Sequence, residues 1–513
     1  MDFDVSGEFQ KFKGDFVKSK KYWLIYLVII VFISLSLFRA DNYAHPKMEI
    51  IIIILVSLLG IFTISYYQGH NDEKELYKTA FLIILIFGII CCLLIPICNG
   101  PDEVEHFVRS EMTSSGVIIP DYKNGSFQTI QSTLDLIEKG KTTWATGFDA
   151  INRDDASIFN TNADTQPINY TLVKYPSAFA QNPFFGYIAP AIGMAIAKLF
   201  DLNAIWLLWL GRIFNILLYA SLVAVAVKKT PILKIPMIVI ACMPLLIFQA
   251  STVAIDSLIN GLGILAVAYF FKMYKSPKNQ LDWKNIVKFS LIVLLMGLCK
   301  VTYFAFIFLL IFVPLSNFKD KKYYLYGFVS IIIMAIVALL WAKYYATPGF
   351  FQSFRSNYWI EKGINSTQQT SYILSHKKEM IMTIFNLPQY FNSDLLFRFE
   401  SFNSLYLLLF GGVCLFYPHE KYNIKSRMGA LIVCVIVYVG TYVSFLLTWT
   451  PVGQLDPIIG VQQRYFLPIL FLMPFIFGFN HINGDKKEID SYLIMLSISF
   501  IAYMLIWFAV KVY

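Results

Sequence analysis

The chain is cut into apolar blocks whose lengths cluster near that of a membrane crossing, and this pattern limits its fold more than any other feature. Tyr22 to Phe38, Met48 to Tyr66 and Ala80 to Cys98 are the first three, and about 20 apolar residues carry a helix across a hydrocarbon core. Backbone polar groups in lipid must bond within the protein, which leaves helices or closed barrels. The run Ile50-Ile51-Ile52-Ile53-Ile54-Leu55 lacks the alternation of a barrel strand. The expected class is an all-α polytopic membrane protein in contact with the lipid bilayer. Composition agrees, with 57% of residues hydrophobic and 15% charged at a mean hydropathy of +0.60, against about 25% charged in soluble domains.

Lys and Arg give a net charge of +9 but fall in short segments between apolar blocks. That is a topology signal and argues against nucleic acid as a partner. Lys11, Lys13, Lys18, Lys20 and Lys21 precede the first block, so the N-terminus is expected in the cytoplasm and residue 99, three crossings later, outside. Residues 1–98 then form an N-terminal three-helix unit and 99–181 a first extracytoplasmic loop. Phe184 to Phe200 contains Pro190 and ends close to the next block, Ala204 to Val227. If both crossed, Lys228, Lys229 and Lys234 would lie outside, so Phe184 to Phe200 is expected to be re-entrant or surface-lying. A span to about Ala254, an outer turn at Asp256 and a return to Phe271 follow. Lys300 interrupts the apolar stretch Phe289 to Pro314, which predicts two short helices with Lys300 near the outer tip of their hairpin. The remaining units are a transmembrane core over 182–341, a second extracytoplasmic loop over 342–401 and C-terminal helices over 402–513, the last with a return span at Phe466 to Phe479. One helix per block gives roughly 12–13. Cys91, Cys92, Cys242, Cys414 and Cys434 lie inside apolar runs without metal-site spacing and read as small core residues.

Four constellations carry possible chemistry. In Pro101-Asp102-Glu103-Val104-Glu105-His106-Phe107-Val108-Arg109, a helix starting at Pro101 sets Asp102, His106 and Arg109 on one face. A capped interfacial helix explains the same pattern. Asp256 stands in the turn between two apolar blocks, where an ionised side chain needs an interface or a polar cavity. Lys300 either snorkels to the surface or binds an anion. Gln462-Gln463-Arg464-Tyr465 opens a late span, where Arg and Tyr are also ordinary headgroup anchors. The basic loops place all four groups on the outer side, where two acids and two cations suit an anionic lipid carrier and a hydroxyl acceptor.

The ordered motifs Pro101-Asp102-Glu103 with His106, Tyr175-Pro176, Tyr187 to Pro190, Arg212 with Asn215, Pro244 with Gln249 to Asp256 and Asn260, Lys300 with Tyr303, and Gly460 to Pro468 resemble the bacterial membrane-protein family known as domain of unknown function 2142. That family is similar to the GT-C glycosyltransferases. Gln463 stands where a glycine is usual before Arg-Tyr, and the first two helices resemble an N-terminal addition. The resemblance implies a GT-C-like bundle in the bacterial plasma membrane that transfers a sugar from a polyprenyl-phosphate carrier to an extracytoplasmic acceptor. A cell-surface polysaccharide or teichoic acid is the expected glycan. Asp102 and Glu103 map onto the catalytic acids, with His106 and Asp256 supporting them or holding a divalent cation such as Mg or Mn. Arg109, Lys300 and Arg464 are expected at the donor phosphate, and Tyr175, Gln249, Asn260, Gln462, Gln463 and Tyr465 along the site. A flippase for a lipid-linked glycan, a glycan polymerase or ligase, and a non-catalytic assembly subunit are the competing readings.

Overall fold

The computed structural model describes residues 5–40, 46–120, 127–140, 165–175, 177, 179, 182–346, 356–390, 403–479 and 486–512. It opens with a helix that forms no apolar block, α1 (Val5–Lys18), whose Phe12 and Phe16 pack on Phe62 and Trp23. The first three blocks are α2 (Lys20–Ala40), α3 (Pro46–Gly69) and α4 (Leu76–Leu94). The polar region beyond them supplies α5 (Glu103–Ser114) and α6 (Gln131–Gly140), with an antiparallel ribbon of β1 (Phe127–Ile130) and β2 (Leu172–Tyr175) that sets Phe127 opposite Tyr175.

A 3-10 turn, Phe184–Tyr187, leads into α7 (Ile188–Leu199). Its 12 residues reach about 18 Å at 1.5 Å each, and with the preceding 3-10 turn it forms one of the shorter apolar helices. The chain doubles back along α8 (Ile205–Lys229) so closely that a side chain at Gly193 would collide with the Leu210 carbonyl.

The block expected as one span to about Ala254 is instead broken. It forms α9 (Lys234–Ala241) and α10 (Pro244–Ala250), because Pro244 carries no N–H to continue the helical ladder. Every residue of α9 beyond Lys234 and all of α10 are buried, and irregular backbone at membrane depth is tolerated inside protein. The return helix is α11 (Asp256–Tyr274).

Asp282 caps α12 (Trp283–Cys299) by accepting from the Lys284 amide, and Lys300 then adopts extended backbone before a 3-10 helix, Val301–Phe312. The 17 residues of α12 and the 12 of the 3-10 arm have nearly equal lengths, about 26 Å and about 24 Å. The two arms return the chain to one level and leave Lys300 at the tip.

Helix α13 (Lys321–Trp341) buries only Gly327 and Met334 and continues into a π-turn, Ala342–Ala346. The second polar region contains α14 (Ser356–Glu361), α15 (Ser366–Ser375) and α16 (Lys377–Asn386). In it α16 exposes Ile381, Met382 and Phe385. The Leu387 carbonyl accepts from the Tyr438 hydroxyl at 3.0 Å, beside the middle of a long apolar helix. After α17 (Asn403–Phe416), that helix is α18 (Ile424–Thr448). The expected span Phe466 to Phe479 is also broken, into a 3-10 turn Gln463–Phe466, α19 (Leu467–Leu470) and α20 (Met473–Phe477), with Pro468 and Pro474 in the first turns. Helix α21 (Lys486–Val512) packs against α2 and α3.

Among the described residues, α2, α3, α4, α8, α11, α13, α18 and α21 make eight helices long and apolar enough to cross a membrane. The difference from the expected 12–13 lies in short and broken passages, which α9, α10, α12, the 3-10 arm, α17, α19 and α20 provide.

Candidate functional site

Asp102 occupies a left-handed conformation at φ 56° where the chain turns into α5, a region that aspartate tolerates better than most residues. It and Glu103 end with different partners. Glu103 and Arg212 are both fully buried. Arg212 Nε and Nη2 donate to the two Glu103 oxygens at 2.8 and 2.7 Å. The same oxygens accept from the Val253 amide at 2.8 Å and the Gly100 amide at 2.9 Å. Arg212 also donates to the carbonyls of Cys92, Ile95 and Pro96. Glu103 therefore joins the end of α4, the start of α5, α8 and the turn before α11. A side chain at Gly100 would meet Thr252 at 2.6 Å, so the turn closes only with glycine there. Glu103, expected as a catalytic acid, is placed off the cavity lining described below, with its carboxylate saturated and sealed.

Asp102 instead faces Arg464. Its Oδ2 accepts from Arg464 Nη2, while Arg464 Nη1 donates to the Pro101 carbonyl at 2.9 Å and lies 3.5 Å from Asp256 Oδ2. Among the described residues Asp102 Oδ1 has no hydrogen-bond partner. Asp256 begins α11, where the positive helix end favours a carboxylate. These groups border a cavity of about 690 Å³ whose lining includes Asp102, His106, Asp256, Lys300, Gln462, Arg464 and Tyr465. The Lys300 ammonium lies over the rings of Tyr465 and Phe445 and has no carboxylate or hydrogen-bonding partner among the described residues. The Tyr303 hydroxyl fixes the Tyr465 carbonyl at 2.7 Å.

The cavity has a second, apolar part. Leu298 and Val301 of the Lys300 hairpin, Val443 and Leu447 of α18, and Trp341 at the end of α13 line it. A charged pole and an apolar arm in one space fit an amphiphile with an anionic head.

Residues 85–473 match the family model described as Predicted membrane protein (DUF2142). The chain belongs to the DUF2142 family. The matched stretch takes in Asp102, Asp256, Lys300 and Arg464 and leaves α1, α2, α3, the first half of α4, most of α20 and all of α21 outside. Neither a curated protein nor a solved structure matches this DUF2142 member.

Several other expected site residues lie away from the cavity. Arg109, expected at a donor phosphate, is fully buried. It donates to the carbonyls of Asn182, Val117 and Ile118 and to Thr113 Oγ1 and does not line the cavity. Tyr175 belongs to the ribbon. Gln249 and Asn260 pair with each other at 3.2 Å inside the core, and Gln463 is buried and does not line the cavity. Sequence reasoning missed Trp341, Tyr345, Phe445 and Trp449, which line the cavity. Their one signal, aromatic residues at the ends of apolar blocks, is shared by every interfacial anchor.

The described residues contain no group of three or more His, Cys, Asp or Glu side chains placed to hold a metal ion. Asp102 and Asp256 both reach the Arg464 guanidinium. Burial pushes the His106 imidazole down to about 4, outweighing the nearby carboxylates.

Proposed function

We propose that this DUF2142 protein is an integral-membrane glycosyltransferase of the GT-C type. It moves a sugar from a polyprenyl-phosphate carrier to a surface glycan at the extracytoplasmic face of a bacterial plasma membrane. The observation that carries the reading is the Lys300 ammonium, which has no ion-pair partner among the described residues, in a cavity that also holds Asp102, Asp256 and Arg464 and extends into an apolar arm. Lys300 is half-buried, and a cation partly withdrawn from water gains from a ligand that supplies an anion. A lipid phosphate supplies the anion, and its chain suits the arm.

In the proposed step an acceptor hydroxyl oxygen attacks the anomeric carbon as the bond from that carbon to the phosphate oxygen breaks. The hydroxyl proton passes to Asp102, a general-base role typically worth about 10² to 10⁴ in rate. The carrier leaves as a phosphate anion and needs no proton. Lys300 and Arg464 stabilise its charge, and fixed cations in a water-poor site act strongly on developing charge. Asp256 keeps Arg464 oriented when its contact with Asp102 loosens.

The test is reconstitution in vesicles with a radiolabelled polyprenyl-phosphate sugar and a surface-glycan acceptor. The reading expects label in the glycan and free polyprenyl phosphate, both lost in Asp102→Asn. Label that crosses the bilayer without a new glycosidic bond would overturn it in favour of a flippase.

A further inference from the structure

A file of three side chains beside the Asp102–Asp256 pole has no part in the transfer step. His106, one helical turn beyond Asp102, lines the cavity and is buried. Its Nδ1 lies 2.8 Å from the Tyr187 hydroxyl oxygen. That oxygen, fully buried at the start of α7, accepts from Asn182 Nδ2 at 2.9 Å. The Phe179 ring holds the imidazole from another side, with centroids 4.8 Å apart.

A phenol that accepts from the Asn182 amide still has one proton to give, and a buried hydroxyl proton without an acceptor is costly. The acceptor at hand is His106 Nδ1. A neutral imidazole has one N–H, so accepting at Nδ1 puts the proton on Nε2. Nε2 has no partner among the described residues and is the ring nitrogen left for the cavity.

We propose that Asn182 and Tyr187 lock His106 as the Nε2–H tautomer, so that it offers the cavity a neutral hydrogen-bond donor and serves as neither base nor metal ligand. The donor's natural target is a sugar or acceptor oxygen held beside Asp102, an assignment that rests on the glycosyl-transfer reading. Tyr187 is then a positioning residue that acts through the imidazole. The charged groups whose fields reach the ring are Asp256, Arg464, Asp102 and, from the sealed core, Glu103, and burial keeps it neutral among them.

The test reads the tautomer directly. Protein labelled with ¹⁵N-histidine is examined by NMR in nanodiscs, and the His106 signals are assigned by their loss in His106→Gln. An unprotonated Nδ1 and a protonated Nε2, unchanged from pH 8 to pH 6, are expected. In Tyr187→Phe the two tautomers should mix. A protonated Nδ1 in the wild type, or an imidazolium above pH 6, would overturn the proposal. In the transfer assay His106→Leu should raise KM about twofold to tenfold, the range of one neutral hydrogen bond, while His106→Gln, whose amide keeps a donor, should recover most of it. Equal defects in both variants would overturn the donor role. The NMR arm needs no turnover, so a protein that transfers no sugar still reports on the lock, and failure of the transfer reading is recognised separately.

Discussion

Asp102 and Glu103 are neighbours in sequence and opposites in structure. Glu103 meets four donors in a sealed core, two of them from Arg212. Asp102 shares one guanidinium with Asp256 and retains an oxygen without a partner among the described residues, at the edge of a cavity. A carboxylate whose acceptor sites are all filled stabilises a fold and has nothing left to give a substrate. One with an open oxygen at a cavity can take a ligand there. The left-handed turn at Asp102 is where the two fates divide.

The largest expected effect falls on the open acid. Asp102→Asn should lower transfer by about 10²- to 10⁴-fold while the melting temperature of the purified protein stays close to that of the wild type. Unchanged turnover would abolish the distinction. Glu103→Gln should do the reverse, costing about 3–5 kcal/mol because Arg212 keeps a buried charge without its counter-charge. Thermal unfolding in detergent reads that loss, and a stable, inactive Glu103→Gln would move the chemistry to the sealed side. Lys300→Met, on the cavity side, should raise the donor KM about 10- to 100-fold, the value of one charge-assisted hydrogen bond. An acceptor KM that rises in place of the donor KM would reassign the ammonium.

The smallest effect is on pH. Because the His106 imidazole sits at about 4 in the fold against an ordinary 6.5, the unfolded chain takes up its proton first as pH falls. Stability is therefore complete above about pH 6.5 and declines between 6.5 and 4, by about 1 kcal/mol at pH 5.5. Melting curves of wild type and His106→Gln at pH 7.5 and 5.5 isolate that contribution.

Much of this arrangement was legible in the residues. Apolar blocks of crossing length announced most of the long helices. Lys300 inside an apolar stretch marked a hairpin tip, since an ammonium cannot rest unpaired in lipid. The breaks at Pro244, Pro468 and Pro474 also carried a signal, a missing N–H that a purely hydrophobic count overlooks. What was not legible was the choice between Asp102 and Glu103, because Arg212, the partner that removes Glu103, lies 109 positions away. Helical spacing grouped Arg109 with Asp102 and His106, yet its long side chain reaches instead for the carbonyls of Val117 and Ile118. Spacing along a helix fixes where a side chain begins, and tertiary partners decide where a long one ends.

The 3-10 arm Val301–Phe312 has one more consequence. Its 12 residues advance about 2.0 Å each, whereas an α-helix of the same length would be about 6 Å shorter. The arm thus acts as a ruler that sets the depth of Lys300. Inserting or deleting a single residue there would shift the ammonium vertically and swing it a third of a turn, so the segment's length is under tighter constraint than its greasy composition implies.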